Sequence, residues 1–423
     1  FAMNLGEHQF QATERQDEKR MSERLLDGIR VLDFTQFLAG PYCSQFLADM
    51  GAEVIKVENL KSGGDFVRNA QPREPEGGLS MYFGNLNRNK KGVALDLKSA
   101  GGKELFAKLV ASADVLVENM RPGVMAKLGF GYEACRRLNP ALIFASVSGF
   151  GQYGPNSYRP GYDLIAQAMG GSMSITGWPG SEPTRAGMAI GDLMAGQNLC
   201  IAICASLYKR RETGKGQQID VALVDSIFSG MEAKIMNYLY GGKMPEKTGN
   251  RYITSAPYDS YRAKDDYYVI ASGTDAHFIK FSAGMGMPEL ARDPRFCDTP
   301  SRNQNWEALK QIINDWSSDK TAAECVALID SWGIPAAPIY NCAQACADAN
   351  ITQVREMLVK VPRPHDGREG TLTVIGNPIK MSEYPCQYTK GAPLLGEDNA
   401  SIFRALGFSD EQLAAYRAQG AIN

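Results

Sequence analysis

The sequence predicts an α/β protein: a large Rossmann-like domain built on a parallel sheet, with a smaller α+β domain inserted after it. Short β-branched runs alternate with helical stretches from Gly28 to Gly149, the pattern of strands joined by crossover helices. After Gly191 the chain turns to long helical spacing, and from about residue 250 a hairpin pattern opens a region of different texture. At 423 residues, 44% hydrophobic and 22% charged, the chain is long enough for two domains.

The elements follow in order. "IRVLDF" is apolar and β-branched, Pro41 suits the first turn of a helix over "CSQFLADM", and Gly51 stops that helix. "EVIKVE" is a second buried strand. "GVALDL", "GKELFAKLVASA", "DVLVEN" and "LIFASVSG" continue as strand, helix, strand and strand. Helical spacing covers residues 192–212 and 221–240, separated by "TGKGQQID". "PYDSYRAKDDYYVIAS" reads as a hairpin turning at Ala263–Asp266, with helices expected around 275–285, 303–316 and 320–332 and a strand at "PAAPIY". The tail carries two helices, the second opened by Ser409 with Gln412 three residues on, a capping box. The expected organisation is a large α/β domain over 21–220, a linker helix over 221–249, a small domain over 250–335 and a return to the large domain over 336–423. Residues 1–20 are polar, lack the apolar centre of a signal peptide, and read as a tag or disordered lead before Met21.

Composition narrows the function classes. A net charge of −2 gives no global attraction to nucleic acid or membrane, so an anionic ligand needs a local cationic cluster. No uninterrupted apolar run approaches the ~18 residues of a membrane-spanning helix. Nine scattered cysteines, an odd number, suggest reduced thiols and a cytoplasmic protein. The three histidines (His8, His277, His365) lie far apart, so no metal site is expected, and no G-x-S-x-G elbow supports a Ser/His/Asp triad. Glu58 ends the second strand where a ribose-binding acid would sit. The loop "LAGPYCSQ" nevertheless has one glycine where a dinucleotide site needs G-x-G-x-x-G, which argues against NAD.

Three stretches carry chemistry. "RPGYDLIAQAMGG", residues 159–171, places Asp163 at the mouth of a helix. Ala166, Gln167 and Gly170 share its face, and Leu164, Ile165 and Met169 on the opposite side are expected to supply the packing. Asp is common at helix starts, so a capping role stands beside a chemical one. "NLNRNKKGVALDLK" concentrates Arg88, Lys90 and Lys91 before a strand, and "VENMRPGVMAKLGF" sets Asn119, Met120 and Arg121 at a strand end, with Lys127 beyond. Loops at the carboxyl ends of parallel strands form the ligand crevice of open sheets, where such cations suit a phosphorylated ligand and Met120 a flat ring. A solvated charged turn is the alternative for N-R-N-K-K.

"LDGIRVLDFTQFLAGPYCSQFLADMGAEVIKVE", "NRNKKGVALDLK", "VENMRPG…LGFGY", "NPALIFASVSGFGQYGP", "PGYDLIAQAMGG" and "TGKGQQIDVALVD" resemble, in order and spacing, the class III coenzyme A transferases. That family includes formyl-CoA:oxalate, carnitine-CoA and succinyl-CoA-dependent enzymes and is related to the α-methylacyl-CoA racemases. The resemblance implies an acyl-CoA:carboxylate CoA-transferase without a tightly bound cofactor, working through an aspartyl mixed anhydride and an aspartyl-CoA thioester. It implies Asp163 as nucleophile, Ala39 along bound CoA, and Lys90, Asn119 and Met120 lining the nucleotide, in an interlocked homodimer. Lys127 stands where the family often has Arg, Asn59 where some members have Arg, and Leu38 where the oxalate branch has Gln. The partner acid is expected to be small, such as the dicarboxylate succinate, with Arg68 and Arg185 as candidates for its second carboxylate. Two rivals stand beside this. A racemase would need His in a G-H-D motif where Tyr162 stands, although Asp192 matches its acid; a CoA-binding protein without catalysis would keep the cations but not need Asp163.

Overall fold

A computed structural model describes residues 24–74, 78–364 and 367–423; the lead at 1–20, Met21 and His365 lie outside them. The chain forms two compact units. The larger takes the described residues up to Ser172, Ala186–Glu232 and Ala349–Asn423; the smaller takes Met173–Arg185 and Ala233–Asp348.

In chain order the larger unit contains β1 (Arg30–Phe34), α1 (Ala39–Asp49), β2 (Glu53–Asn59), α2 (Met81–Leu86), β3 (Lys90–Leu95), α3 (Ala100–Ser112) and β4 (Val115–Glu118). It continues through α4 (Val124–Leu128), α5 (Tyr132–Leu138), β5 (Ile143–Ser148), α6 (Asp163–Met169), α7 (Ile190–Thr213), β6 (Gln218–Ala222) and α8 (Leu223–Ser229). The six strands pair in parallel in the order β3-β2-β1-β4-β5-β6, so the strand order reverses between β1 and β4. The strands read as nearly continuous apolar runs because both faces are covered. On one face Cys43 and Leu47 of α1 share a core with Ala195, Leu199 and Ile203 of α7. On the other, Leu105 and Leu109 of α3 pack with Phe403 and Leu413 from the chain's end. Each leucine, isoleucine or phenylalanine among them contributes about 1.5–3 kcal/mol through burial. Ile190–Thr213 is long and apolar enough to cross a membrane by length and composition, yet its apolar stripe is built into this core layer. Gly196 lets it cross α1 at backbone distance: a Cβ there would lie 2.6 Å from the Ala39 carbonyl oxygen.

The smaller unit holds α9 from its second residue (Glu232–Gly241), β7 (Tyr258–Arg262), β8 (Tyr267–Ala271), α10 (Asp275–Gly284), α11 (Thr299–Gln304), α12 (Trp306–Ser317), α13 (Ala322–Ser331), β9 (Ala336–Pro338) and α14 (Cys342–Ala347). β7, β8 and β9 form an antiparallel sheet over a core of Tyr268, Phe278, Phe281, Ile313 and Ile329. The hairpin turns at Ala263, whose N–H donates to the Asp266 carbonyl at 2.9 Å, as its sequence suggests. This unit reaches beyond the expected 250–335 at both ends and also takes in 173–185. The chain then rejoins the larger unit with β10 (Leu358–Pro362), β11 (Thr371–Ile375), α15 (Asn399–Ala405) and α16 (Asp410–Ala418), the last opened by the Ser409/Gln412 capping box.

Three local expectations are corrected. The stretch 221–240 is not one helix: Gln218–Ala222 pairs with β5 as the sixth strand, and α8 and α9 break at Gly230–Met231. The open edge of β5 supplies a ladder, and tertiary pairing overrides the helical spacing. The β10–β11 hairpin was not expected; its alternating Val361, Leu372 and Val374 are buried. Finally, α6 is turned inside out relative to its apolar pattern. Asp163, Ala166 and Gln167 face inward, while Leu164 (50% exposed), Ile165 (37%) and Met169 (46%) face outward. The small face is needed for close packing, since a Cβ on Gly170 would stand 2.4 Å from Ile227 of α8.

Candidate functional site

A cavity of about 240 Å³ opens in the larger unit where the loops after β1, β4 and β5 converge, at the reversal of strand order. Gln36–Ala39, Asn119–Pro122, Ser148–Gly149 and Arg159–Tyr162 line it, with Asp192 at the start of α7. Ala39, Asn119, Met120 and Arg121, named from the sequence, all meet there. Asn119 fastens two of the loops together: its Oδ1 accepts from the Gln36 N–H at 2.9 Å and its Nδ2 donates to the Gln36 carbonyl at 2.6 Å. Met120 donates its N–H to Glu118 Oε2 at 2.8 Å. Burial pushes the Glu118 carboxyl up to about 7, with the nearby Asp220 charge adding to it. Tyr162 sets its ring edge-on to Phe37, 5.9 Å between centroids, and walls the cavity.

Lys90 and Lys127 are not part of this lining. Lys90 is fully buried, and its Nζ donates to Asp33 Oδ2 (2.8 Å), Ser44 Oγ (2.8 Å), Asn87 Oδ1 (2.9 Å) and the Pro41 carbonyl (3.1 Å). Burial pushes the Lys90 amine down to about 8 against the pull of Asp33. Burial acts upward on Asp33, but Lys90 and Lys56 outweigh it and hold the carboxyl well below the usual carboxylate range. Both directions leave the pair ionised at neutral pH. Arg88 grips Asp49 through Nε (3.0 Å) and Nη2 (2.6 Å), and Lys91 reaches Glu53 at 2.5 Å. The cations of N-R-N-K-K thus form a row of ion pairs, buried at Arg88 and Lys90 and half-exposed at Lys91, that fastens the start of β3 to α1, β1 and β2. Lys127 is exposed on α4. Arg68 pairs with Glu58 through two bonds of 2.8 and 2.5 Å; Arg185 is exposed in the smaller unit.

Asp163 lies just behind the lining, 8% exposed. It is the first residue of α6, whose cap position is Tyr162, and it makes no capping bond to its own helix. Its Oδ1 accepts from the Gly191 N–H at 2.8 Å and its Oδ2 from Gln167 Nε2 at 2.7 Å. Gln167 is held in turn, its Oε1 accepting from the Ala186 N–H at 2.8 Å. The approach to α6 is fixed by two glycines: a Cβ on Gly149 would stand 2.6 Å from the Gly161 Cα. Three lining or near-lining groups had no role in the transferase expected from the sequence. Arg159, stacked 5.0 Å over Phe150, stood inside the quoted RPGYD stretch; Glu118 stood inside V-E-N; Asp192 had only a rival's role.

The sequence pattern of CoA-transferase family III matches residues 26–399. The chain belongs to that family. It is 40% identical over 389 residues to a succinyl-CoA:mesaconate CoA-transferase of Haloarcula hispanica, covering 90% of this chain and 96% of the relative. It is 40% identical over 378 residues to an acetyl-CoA:oxalate CoA-transferase of Acetobacter aceti, covering 89% and 94%. A solved CAIB/BAIF family protein from Brucella suis superposes with a TM-score of 0.82 at 36% identity, covering 91% of this chain and 100% of that one. In this CoA-transferase the cations that face the cavity are Arg121 and Arg159, not those of the N-R-N-K-K run.

Proposed function

We propose that the chain moves CoA from an acyl-CoA to a small free carboxylic acid through a covalent bond to Asp163. The observation that carries this is the setting of that carboxylate: it does not cap its helix, is nearly buried beside the cavity, and is aimed by two N–H donors. Each carboxylate oxygen can accept two hydrogen bonds and here accepts one, so a lone pair remains for attack. An Asp163 oxygen adds to the thioester carbonyl carbon, the C–S bond breaks, and CoA leaves as thiolate with the acyl group held as a mixed anhydride. The thiolate then attacks the aspartyl carbonyl, releasing the first acid; the acceptor carboxylate and CoA exchange on Asp163 in the reverse sense. Arg121 and Arg159 suit the phosphates of CoA as forked donors, with Met120 and Ala39 along its length. Relatives named for succinate, mesaconate, oxalate and glutarate support a small dicarboxylate as partner acid.

The outward face of α6 supports a homodimer. Tyr162, Leu164, Ile165 and Met169, with Met188 nearby (66% exposed), are apolar surface that a second copy covers. The chemistry is tested with hydroxylamine, which traps the acylated Asp163 after wild-type protein meets succinyl-CoA. A folded Asp163→Asn protein that transfers at more than about a hundredth of the wild-type rate refutes the covalent role, since that is only ~2.7 kcal/mol of barrier.

A further inference from the structure

Asp192 follows Gly191, whose N–H reaches Asp163, and stands in the first turn of α7. It is half-buried and lines the cavity beside Tyr162. One carboxyl group therefore lines the cavity and another stands just behind that lining, and they are not equivalent. Asp163 accepts two N–H bonds, the partners that favour a carboxylate. Among the described residues no hydrogen bond of this kind ends on the Asp192 carboxyl. Where two such groups share a site the charge settles on the one that accepts the hydrogen bonds and the proton on the other. Burial first, and the Asp163 charge second, push Asp192 up to about 7. The other titratable or charged groups around it are Tyr162, Tyr82 of α2, and Arg121 and Arg159 across the cavity. Tyr82 is pushed up to about 12 by burial and then by the charges of Asp192 and Asp65, so it stays neutral.

We infer that Asp192, as the neutral acid, is a catalytic residue whose O–H donates to the acyl carbonyl oxygen while Asp163 attacks. This rests on the Asp163 chemistry proposed above. As the new C–O bond forms, the carbonyl electron pair moves onto oxygen and is held by the Asp192 O–H. The pair returns to re-form the carbonyl as the C–S bond breaks and thiolate departs. The proton stays on Asp192 throughout, so the step consumes nothing. A single preorganised donor of this kind is worth on the order of 10²–10³ in rate.

Asp192→Asn and Asp192→Leu separate this role from a structural one. Transfer from succinyl-CoA to a panel of small dicarboxylates is measured between pH 5 and 9, together with hydroxylamine trapping of Asp163. Wild-type kcat should fall above about pH 7 as Asp192 loses its proton. Asp192→Asn keeps a neutral donor, so it should stay within about tenfold of wild type and lose that fall, while Asp192→Leu should lose about 10²–10³ in kcat with KM for acyl-CoA unchanged. An Asp192→Leu protein within threefold of wild type overturns the inference, as does an Asn variant with the wild-type pH profile. Should the Leu variant fail to fold, the Asn profile decides alone. A wild-type protein that never acylates Asp163 sinks the proposed function and this inference together; one that acylates while Asp192→Leu keeps pace sinks the inference only.

Discussion

Lys90→Met tests what the N-R-N-K-K run does. The Lys90 side chain is completely buried and its ammonium has four acceptors, of which Asp33 carries full charge. Methionine keeps most of the apolar stem and removes the charge, leaving Asp33 with Lys56 as its remaining cationic neighbour. Breaking one side of a buried ion pair costs about 3–5 kcal/mol, because the abandoned charge stays buried. Lys90→Ala also deletes three buried methylenes, at ~0.8 kcal/mol each, and should be the less stable of the two. Urea unfolding followed by circular dichroism reads the loss. Adding Asp33→Asn to Lys90→Met should recover part of it, since the two residues share one interaction. CoA affinity of the folded Lys90→Met protein, by calorimetry, should stay within about twofold of wild type, because Nζ does not face the cavity. A Met variant of native stability that binds CoA tenfold more weakly refutes this reasoning and returns Lys90 to the ligand.

The same cluster sets an acid limit. A carboxyl held below its ordinary value contributes stability that is complete above the unfolded-state value of 3.8 and is lost as pH falls towards the folded one. The melting temperature should therefore lose an Asp33 contribution below about pH 4, and Asp33→Asn should flatten that part of the profile; identical slopes for the two proteins would contradict it. Leu164→Glu combined with Met169→Glu should convert the proposed dimer to monomer in sedimentation at micromolar concentration, and an unchanged dimer would clear α6 of the contact. Gly196→Ala should cost about 1–3 kcal/mol in urea unfolding, since its Cβ would meet the Ala39 carbonyl at 2.6 Å; native stability would mean that α1 and α7 separate freely.

What the sequence made legible was local. β1 to β5, with α1 and α3, follow from runs of residues that are neighbours in the chain, whereas α2, α4 and α5 did not stand out; Asp163 drew notice because its helix start and its glutamine lie within one turn. What it hid was pairing across distance. The acids that pair with Lys90, Arg88 and Lys91 lie 57, 39 and 38 residues away, so nothing local to the run announces those ion pairs. β6 exists because β5 offers an edge, and that edge is invisible to the periodicity of "TGKGQQID". The face of α6 was inverted for a related reason. Apolar residues point inward only where nothing else must, and here the inward positions are claimed by Asp163, Gln167 and the small residues that bring α7 and α8 close. Gly191, the backbone donor to Asp163, lies 28 residues on and carries no side chain to announce it.

The two glycines at 149 and 161 have a bearing on how such a protein changes over time. Their backbones touch, so the residues between them leave and return at a single point, like a loop drawn through a buckle. Tyr153 (83% exposed), Tyr158 (77%) and Arg159 all ride on it. Lengthening a flexible loop whose ends are already joined costs little, about 0.6 kcal/mol for each doubling. Insertions and substitutions here can reshape the rim around Arg159 while the nucleophile's helix starts from the same place. The acid that a descendant accepts can drift, and the aspartate need not move to follow it.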